Sequence, residues 1–364
     1  MKILYAVQGT GNGHITRARI MAKALRSLNV DVDWVFTGRP KDELFDMQDF
    51  GDFRVFSGLT YAIKHGKIQY VQTAFKNNLF KFLRDVFRFD FTGYDLVIND
   101  FEPVIAWAAK RAKVKTIGLS HQMAFQKDIP MAGENILAKF VLRHFAPVDL
   151  PIGLHWSDFG QHLLPPIIDD APERKALSLR DVLVYCPFST KEELIDWFAP
   201  FGNYRFHVFH GCDDDSGYKH INLYPFSRSH FQEKQSHCAG VITSAGFELP
   251  SEALQVGQKL LIKPLGGQME QTSNALALDK IKRATIIDKY TNRTLEQWLQ
   301  EPPRPAIQYP NVALEVAKWL VNSERESLES LSKKLWEQTK TLTNFQTEDS
   351  THIEKQGSTQ LNYT

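Results

Sequence analysis

Along the first 120 residues, short aliphatic or β-branched runs alternate with stretches whose apolar positions recur at helical spacing. KILYAV (2–7), VDVDWVFT (30–37), DLVIND (95–100) and KTIGLS (115–120) have the length and composition of strands. Between them, 15–28 and 103–113 read as helices, with Ile105, Ala108, Ala109 and Ala112 sharing one face of the second. Strands separated by helices predict a parallel sheet covered on both faces. A second series starts after residue 180. DVLVYC (181–186), YRFHVFHG (204–211), HINLYPF (220–226), AGVITS (239–244) and QKLLIKP (258–264) are its expected strands.

The repeated grammar predicts an α/β chain of two similar layered domains facing a cleft. The expected boundaries are 1–155 for the first domain, 156–179 for a linker and 180–309 for the second domain. The linker contains LLPPIIDDAPERKALS, a composition suited to a crossover. The stretch 310–340 reads as helical. The tail 341–364, polar and rich in Thr, Gln and Ser, is expected to be disordered.

Composition is that of a water-soluble globular protein, with 43% hydrophobic and 23% charged residues in 364. The net charge of +1 hides an asymmetry, since the first 150 residues carry the basic surplus and the remainder the acidic one. The first half is therefore suited to meeting something anionic, although a solvated basic surface has the same look. Three cysteines, Cys186, Cys212 and Cys238, form no CxxC pair. A disulfide framework and a zinc site are not expected, and a reducing cytoplasm fits. No apolar run approaches the roughly 20 residues that span a bilayer.

Residues 4–25, LYAVQGTGNGHITRARIMAKAL, place glycines and a histidine between the first strand and the first helix. Such a turn lets backbone N–H groups approach a ligand. The dinucleotide fingerprint wants a third glycine where His14 stands, and an acidic residue where Thr37 and Gly38 follow the second strand. A nicotinamide enzyme is disfavoured on both counts, and no Gly-Lys-Ser/Thr follows for an ATP loop. His14 then reads either as a helix-start residue bonded to nearby backbone or as a general base at the carboxyl end of a strand.

The stretch 240–278, GVITSAGFELPSEALQVGQKLLIKPLGGQMEQTSNALAL, carries a second cluster. Ala245, Gly246 and Phe247 make a close turn into a helix, whose free N–H groups suit a diphosphate. Glu252 falls two turns on, where a carboxylate can accept both hydroxyls of a ribose. A glycine loop then leads to Glu270, Gln271 and Asn274, polar side chains able to read sugar hydroxyls.

With these motifs the chain resembles the GT-B nucleotide-sugar glycosyltransferases, in particular the group with the peptidoglycan N-acetylglucosaminyl transferase and the monogalactosyldiacylglycerol synthases. The likeness covers roughly residues 1–320 in layout. It implies two Rossmann-like domains, the first for the acceptor and the second for the donor. It implies that Gly246 and Phe247 offer amides to the diphosphate, that Glu252 holds the ribose, and that Glu270 and Gln271 contact the donor sugar while Asn274 closes the loop. Phe226 and Ser227 match the segment that receives the base through main-chain atoms. Glu270 stands where the peptidoglycan enzyme has Gln, and a carboxylate, an acceptor only, favours a pair of free hydroxyls.

Further candidates lie at the same strand ends. Asp100 closes DLVIND and is expected either to assist His14 or to cap a turn. His121 and Gln122 follow KTIGLS and, with Gly11 and Gly13, form the expected acceptor side. CDDDSG (212–217) lacks the EF-hand ligand pattern and reads as a solvated turn. In 75–91, Phe75, Leu79, Phe82, Leu83 and Val86 share a helical face, with Lys76, Lys81, Arg84 and Arg88 elsewhere. That pattern fits either packing on the sheet or peripheral contact with an anionic membrane.

The expected activity is an inverting, metal-independent transfer of a hexosyl group from a nucleotide sugar, a UDP-sugar first, to a glycan or lipid acceptor of a cell-envelope glycoconjugate. No cofactor and no nucleic-acid partner are expected. The expected location is cytoplasmic, peripheral to the inner face of the membrane. Two alternatives stay open at this point: an epimerase or hydrolase of the same fold, and a non-catalytic nucleotide-sugar binder.

Overall fold

Eight of the nine strands proposed from the pattern have at least one fully buried residue, and continuous burial is what a parallel sheet with helices on both faces demands. In the computed structural model, β1 (Lys2–Gln8), β2 (Asp31–Thr37), β3 (Phe53–Phe56), β4 (Leu96–Asp100), β5 (Thr116–Ser120) and β6 (Leu150–Gly153) form one sheet. Its order is β3-β2-β1-β4-β5-β6, and every described pairing is parallel. The structure describes residues 1–44, 46–59, 63–64, 67–68, 78–133, 140, 142–169, 176–212 and 215–342.

The second sheet repeats the plan. β7 (Ser178–Tyr185), β8 (Arg205–Phe209), β9 (Ile221–Tyr224), β10 (Cys238–Thr243), β11 (Lys259–Ile262) and β12 (Ala284–Ile286) pair in parallel in the order β9-β8-β7-β10-β11-β12. In both sheets the chain starts in the middle, builds outward to one edge, then returns to the other side of the first strand. The carboxyl ends at that reversal are where open α/β sheets take ligands. These positions are β1/β4 in one sheet and β7/β10 in the other.

Helices α1 (Asn12–Ser27), α2 (Leu79–Arg88) and α3 (Pro103–Ala112) accompany the first sheet. The second series has α4 (Lys191–Phe198), α5 (Arg228–Gln235), α6 (Glu248–Val256), α7 (Met269–Lys280) and α8 (Asn292–Gln300). The expected helical stretch 310–340 is two helices, α9 (Val312–Val321) and α10 (Leu328–Gln338). A short antiparallel pair, β13 (Ala306–Gln308) with β14 (Lys340–Leu342), closes the described chain.

Strands β3, β6 and β12 were not legible in the pattern. Each has three or four residues; β3 is only half-buried, and β6 contains Pro151 and Gly153.

Contacts divide the chain into two compact units. The first holds Met1–Asp169, Gly267–Ser273 and Tyr309–Thr339; the second holds Asp170–Gly266, Asn274–Gln308 and Lys340–Thr364. This differs from the expected boundaries in three places. Residues 156–169 are packed rather than linking: Leu163, Leu164 and Ile167 are fully buried, and Leu164 bridges Leu154. Helix α10 belongs to the first unit, where Ser332 Oγ and Trp336 Nε1 both donate to Leu163 O at 2.6 and 2.8 Å. The segment 267–273 joins it as well, because Met269 is buried in an apolar cluster with Ala124, Phe125, Ile129 and Leu163. The tail from 343 onward, and residues 75–77, lie outside the described residues.

Helix α2 buries only part of its expected apolar face. Phe82 and Val86 turn inward and join a core cluster with Val104, Ile105 and Ala108 of α3. Leu79 and Leu83, expected on the same face, point outward instead, beside Phe80 and Phe87, which are 80% and 62% exposed. Arg111 donates to Phe87 O at 3.1 Å and lies over its ring. No helix among the described residues is long and apolar enough to cross a membrane.

Candidate functional site

Strand β1 hands the chain to α1 through Gly9–Gly11, and this turn is held tightly. Gly9 N donates to Thr37 O at 2.7 Å, and a Cβ on Gly9 would meet that same oxygen at 2.8 Å. A Cβ on Gly38, whose φ is +93°, would likewise collide with Thr10. Glycine is required at both because two backbone turns touch. Gln8 staples them, accepting from Thr37 Oγ1 at 2.8 Å and donating to Thr10 Oγ1 at 2.7 Å. Arg39 adds bonds to Gly9 O at 2.5 Å and Asn12 Oδ1 at 2.7 Å.

Gly11 is the N-cap of α1, so the helix starts earlier than the pattern predicts. Gly13 and His14 lie in its first turn rather than in the loop.

Parallel register then brings Asp100 to His14. Val7 of β1 stands opposite Asp100 of β4, so the carboxylate emerges beside the glycine turn. His14 Nδ1 is 2.7 Å from Asp100 Oδ1. Asp100 is fully buried, and Arg17 grips it with two bonds, Nε to Oδ2 at 2.9 Å and Nη2 to Oδ1 at 2.8 Å. Burial pushes the Asp100 carboxyl up, but Arg17 first and His14 second outweigh it and hold the group below its ordinary value.

The turn behind Asp100 is equally specified. Phe101 has φ +56°, an uncommon conformation for a bulky residue, and stacks on Phe145. Glu102 caps α3, its two carboxylate oxygens accepting from Val104 N and Ile105 N at 2.6 Å each. Burial pushes the Glu102 carboxyl up to about 7, against the pull of those two amides.

A short helical turn, His121–Gln126, follows β5. Gln122 Nε2 donates to Glu270 Oε1 at 3.1 Å and lies 3.5 Å from His14 Nε2. Gln122 Oε1 is buried without a hydrogen-bond partner among the described residues. His121 goes elsewhere. Its ring is 1% exposed, Nδ1 donates to Leu154 O at 2.9 Å, and Phe125, His155 and Trp156 surround it.

Thr272 Oγ1 donates to Ala132 O at 2.9 Å, and Ser273 Oγ accepts from Ala132 N at 3.1 Å. Those bonds position the start of α7, and with it Glu270 and the buried Gln271.

In the second unit, β10 ends at Thr243, whose hydroxyl donates to Tyr185 O at 2.8 Å. The turn Ala245–Phe247 enters α6, and the side chain of its N-cap residue, Phe247, makes no capping bond. Asn274 Nδ2 donates to Ala245 O at 3.0 Å, with both residues fully buried. A Cβ on Gly246 would meet nothing within 4 Å, so space lies in front of the helix start. Glu252 is half-buried on α6. Phe226 is 57% exposed and lies across Gly211, edge-on to Tyr185. The Ser227 hydroxyl caps α5, accepting from His230 N at 3.4 Å.

The profile of Glycosyl transferase family 1 matches residues 1–303. The chain belongs to that family. It is a glycosyltransferase, and its two six-stranded parallel sheets are those of the GT-B fold.

Solved structures agree on the fold. LpCGTa in complex with UDP has a TM-score of 0.57 at 14% identity, covering 92% of this chain and 98% of its own. Glycosyltransferase VinC in complex with DTDP has 0.53 at 13%, covering 99% and 100%. Acinetobacter baumannii MurG has 0.51 at 16%, covering 98% and 99%. A search of curated protein sequences finds no match.

Within this glycosyltransferase, the residues singled out from the sequence form three groups. His14, Asp100, Gln122 and Glu270 are linked in one chain of contacts; Ala245 and Asn274 form a second group; Phe226 and Ser227 stand in a third. Arg17, Arg39, Gln8 and Glu102 were missed. Arg17 carried a signal: it falls three residues after His14 on a helix, amid the apolar positions Ile15, Ala18 and Met21.

Proposed function

We propose that this glycosyltransferase moves a hexosyl group from a nucleotide sugar, a UDP-sugar first, to an acceptor hydroxyl, with inversion and without a metal ion. The observation carrying this reading is His14 Nδ1 at 2.7 Å from the buried Asp100 carboxylate. A hydrogen on Nδ1 donates to that carboxylate, leaving Nε2 as the basic nitrogen. Nε2 takes the acceptor's hydroxyl proton as the oxygen attacks the anomeric carbon. The bond from that carbon to the diphosphate oxygen breaks, and the electron pair leaves with the nucleoside diphosphate. One attack from the opposite side inverts the centre.

The amides of Gly246 and Phe247, at the start of α6, receive the diphosphate. Electrostatic help of this kind is worth roughly 3–4 kcal/mol per well-placed donor. Glu252 holds the ribose, Glu270 and Gln271 read sugar hydroxyls, and Phe226 with Ser227 lines the base. Gln122, with its unfilled buried oxygen, takes a hydroxyl on the acceptor side together with Gly11 and Gly13. Uridine and thymidine diphosphates in the LpCGTa and VinC structures support a nucleotide donor for this chain.

A thermal-shift panel of UDP, TDP, GDP and their sugars tests the donor, because a ligand at 100 times its Kd adds about 2.7 kcal/mol of stability. UDP and one UDP-sugar are expected to raise the midpoint most, and transfer in excess EDTA is expected to match transfer without it. A panel with no uridine response, or EDTA-sensitive turnover, would refute the respective part.

The acceptor is read as a glycan or lipid of the cell envelope, reached from the reducing interior of the cell. Support comes from α2, whose outward Leu79, Phe80, Leu83 and Phe87 lie beside Lys81, Arg84 and Arg88, an arrangement suited to an anionic bilayer surface. In flotation, the protein is expected to rise with phosphatidylglycerol vesicles and not with phosphatidylcholine alone. Phe80→Ser with Phe87→Ser is expected to abolish that enrichment. Equal recovery from both vesicle types would count against the contact.

A further inference from the structure

His14 and Arg17 stand one helical turn apart on α1, and both reach the same carboxylate. Arg17 is 2% exposed and Asp100 fully buried, so this ion pair is withdrawn from water. The guanidinium meets both oxygens in a planar fork, while His14 Nδ1 shares Oδ1 with Arg17 Nη2. Nη2 and Nδ1 are themselves 3.0 Å apart. Arginine has only hydrogens to offer, so if Nδ1 carries the hydrogen donated to Asp100, this last approach is a contact between two donors and not a bond.

We propose that Arg17 is a positioning residue that decides where the proton of the His14–Asp100 pair sits: its buried charge keeps Asp100 ionised, so that the imidazole carries hydrogen on Nδ1 alone and Nε2 retains its lone pair. This rests on His14 being the base. The reason is a proton count. Arg17 and Asp100 together are neutral, and the imidazole beside them needs no further charge.

Without Arg17, a buried carboxylate faces the imidazole alone, and the pair takes up one more proton near neutral pH. If that proton lies on Asp100, the carboxyl donates to Nδ1 and the imidazole's own hydrogen moves to Nε2. If it lies on the ring, both nitrogens carry hydrogen. Either way Nε2 can no longer accept. The other titratable groups facing the pair among the described residues cannot replace the lost cation. Tyr5 of β1 is a buried phenol in the field of Asp100 and Arg17, and Glu270, reached through the Gln122 amide, is itself acidic.

The test reads the ring directly by ¹⁵N NMR of His14 at about pH 7.5, with transfer measured alongside. Nε2 is expected to be unprotonated in the wild type and in Arg17→Lys, which keeps the charge. It is expected to be protonated in Arg17→Met and in Arg17→Gln, which folds more readily because it still bonds to the carboxylate. Transfer in both neutral variants should fall by about 100-fold or more. Adding Asp100→Asn to Arg17→Met removes the second buried charge. That double variant should recover the Nε2 lone pair and run about tenfold faster than Arg17→Met alone.

A merely structural arginine would make the two changes additive in their damage. An unprotonated Nε2 in Arg17→Gln, or a double variant slower than Arg17→Met, would overturn the proposal. Failure of the base reading looks different. In that case His14→Ala transfers normally, whatever the ¹⁵N signals of the Arg17 variants show.

Discussion

His14→Ala is expected to slow sugar transfer by about 10³-fold, inside the 10²–10⁴ that a positioned base contributes, while UDP affinity stays within about twofold of wild type. The asymmetry follows from placement. His14 sits on α1 of the first unit, bound to Asp100, whereas the turn read as the diphosphate site, Ala245–Phe247, belongs to the second. Steady-state kinetics with titration calorimetry check both halves of the expectation. A loss confined to kcat, with donor binding intact, is the signature of an interaction made only in the transition state. Retention of a third or more of wild-type turnover would exclude His14 as the base.

Asp100→Ala carries the second large effect, on stability as much as on rate. Removing the carboxylate leaves the Arg17 guanidinium, 2% exposed, without the partner that takes its fork. Breaking a buried pair from one side costs about 3–5 kcal/mol, well above the median single substitution. Urea unfolding should show that loss at pH 7. The pH dependence has a definite sign. Arg17 and His14 outweigh burial and hold the folded-state Asp100 carboxyl below 3.8, so the unfolded chain takes up its proton first. The stability contributed by this carboxylate is therefore present above about pH 4 and lost as the pH falls through the folded value. The gap between wild type and Asp100→Ala should close in acid. A gap that widened there would contradict the ion pair.

The turn at Ala245–Phe247 was legible because glycine, a following helix and a downstream Gln-x-x-Asn stretch lie close together in the chain. Asn274 meets Ala245 within the second unit. Glu270 and Gln271 lie in the same motif, yet their backbone groups with the first unit. The packing of Met269 and the hydroxyl bonds of Thr272 and Ser273 to Ala132 bring this about, and no local pattern encodes either. On α2, one predicted apolar face divides into inward Phe82 and Val86 and outward Leu79 and Leu83. Spacing identifies a stripe of positions, whereas the neighbouring α3 determines how much of it is covered.

What the amino-acid order determined by itself was local: which runs become strands, where helices intervene, and that a histidine follows the first strand. Parallel alternation and two β/α series were readable because period-2 and period-3.6 patterns act over a few residues. Only the tertiary structure decided that Asp100 meets His14 across β1 and β4, and that Arg17 completes the pair. Those contacts span 86 and 83 positions of sequence and depend on strand order and register. They form because a carboxylate withdrawn from water needs a cation and hydrogen-bond donors beside it, and the helix following β1 supplies both in one place.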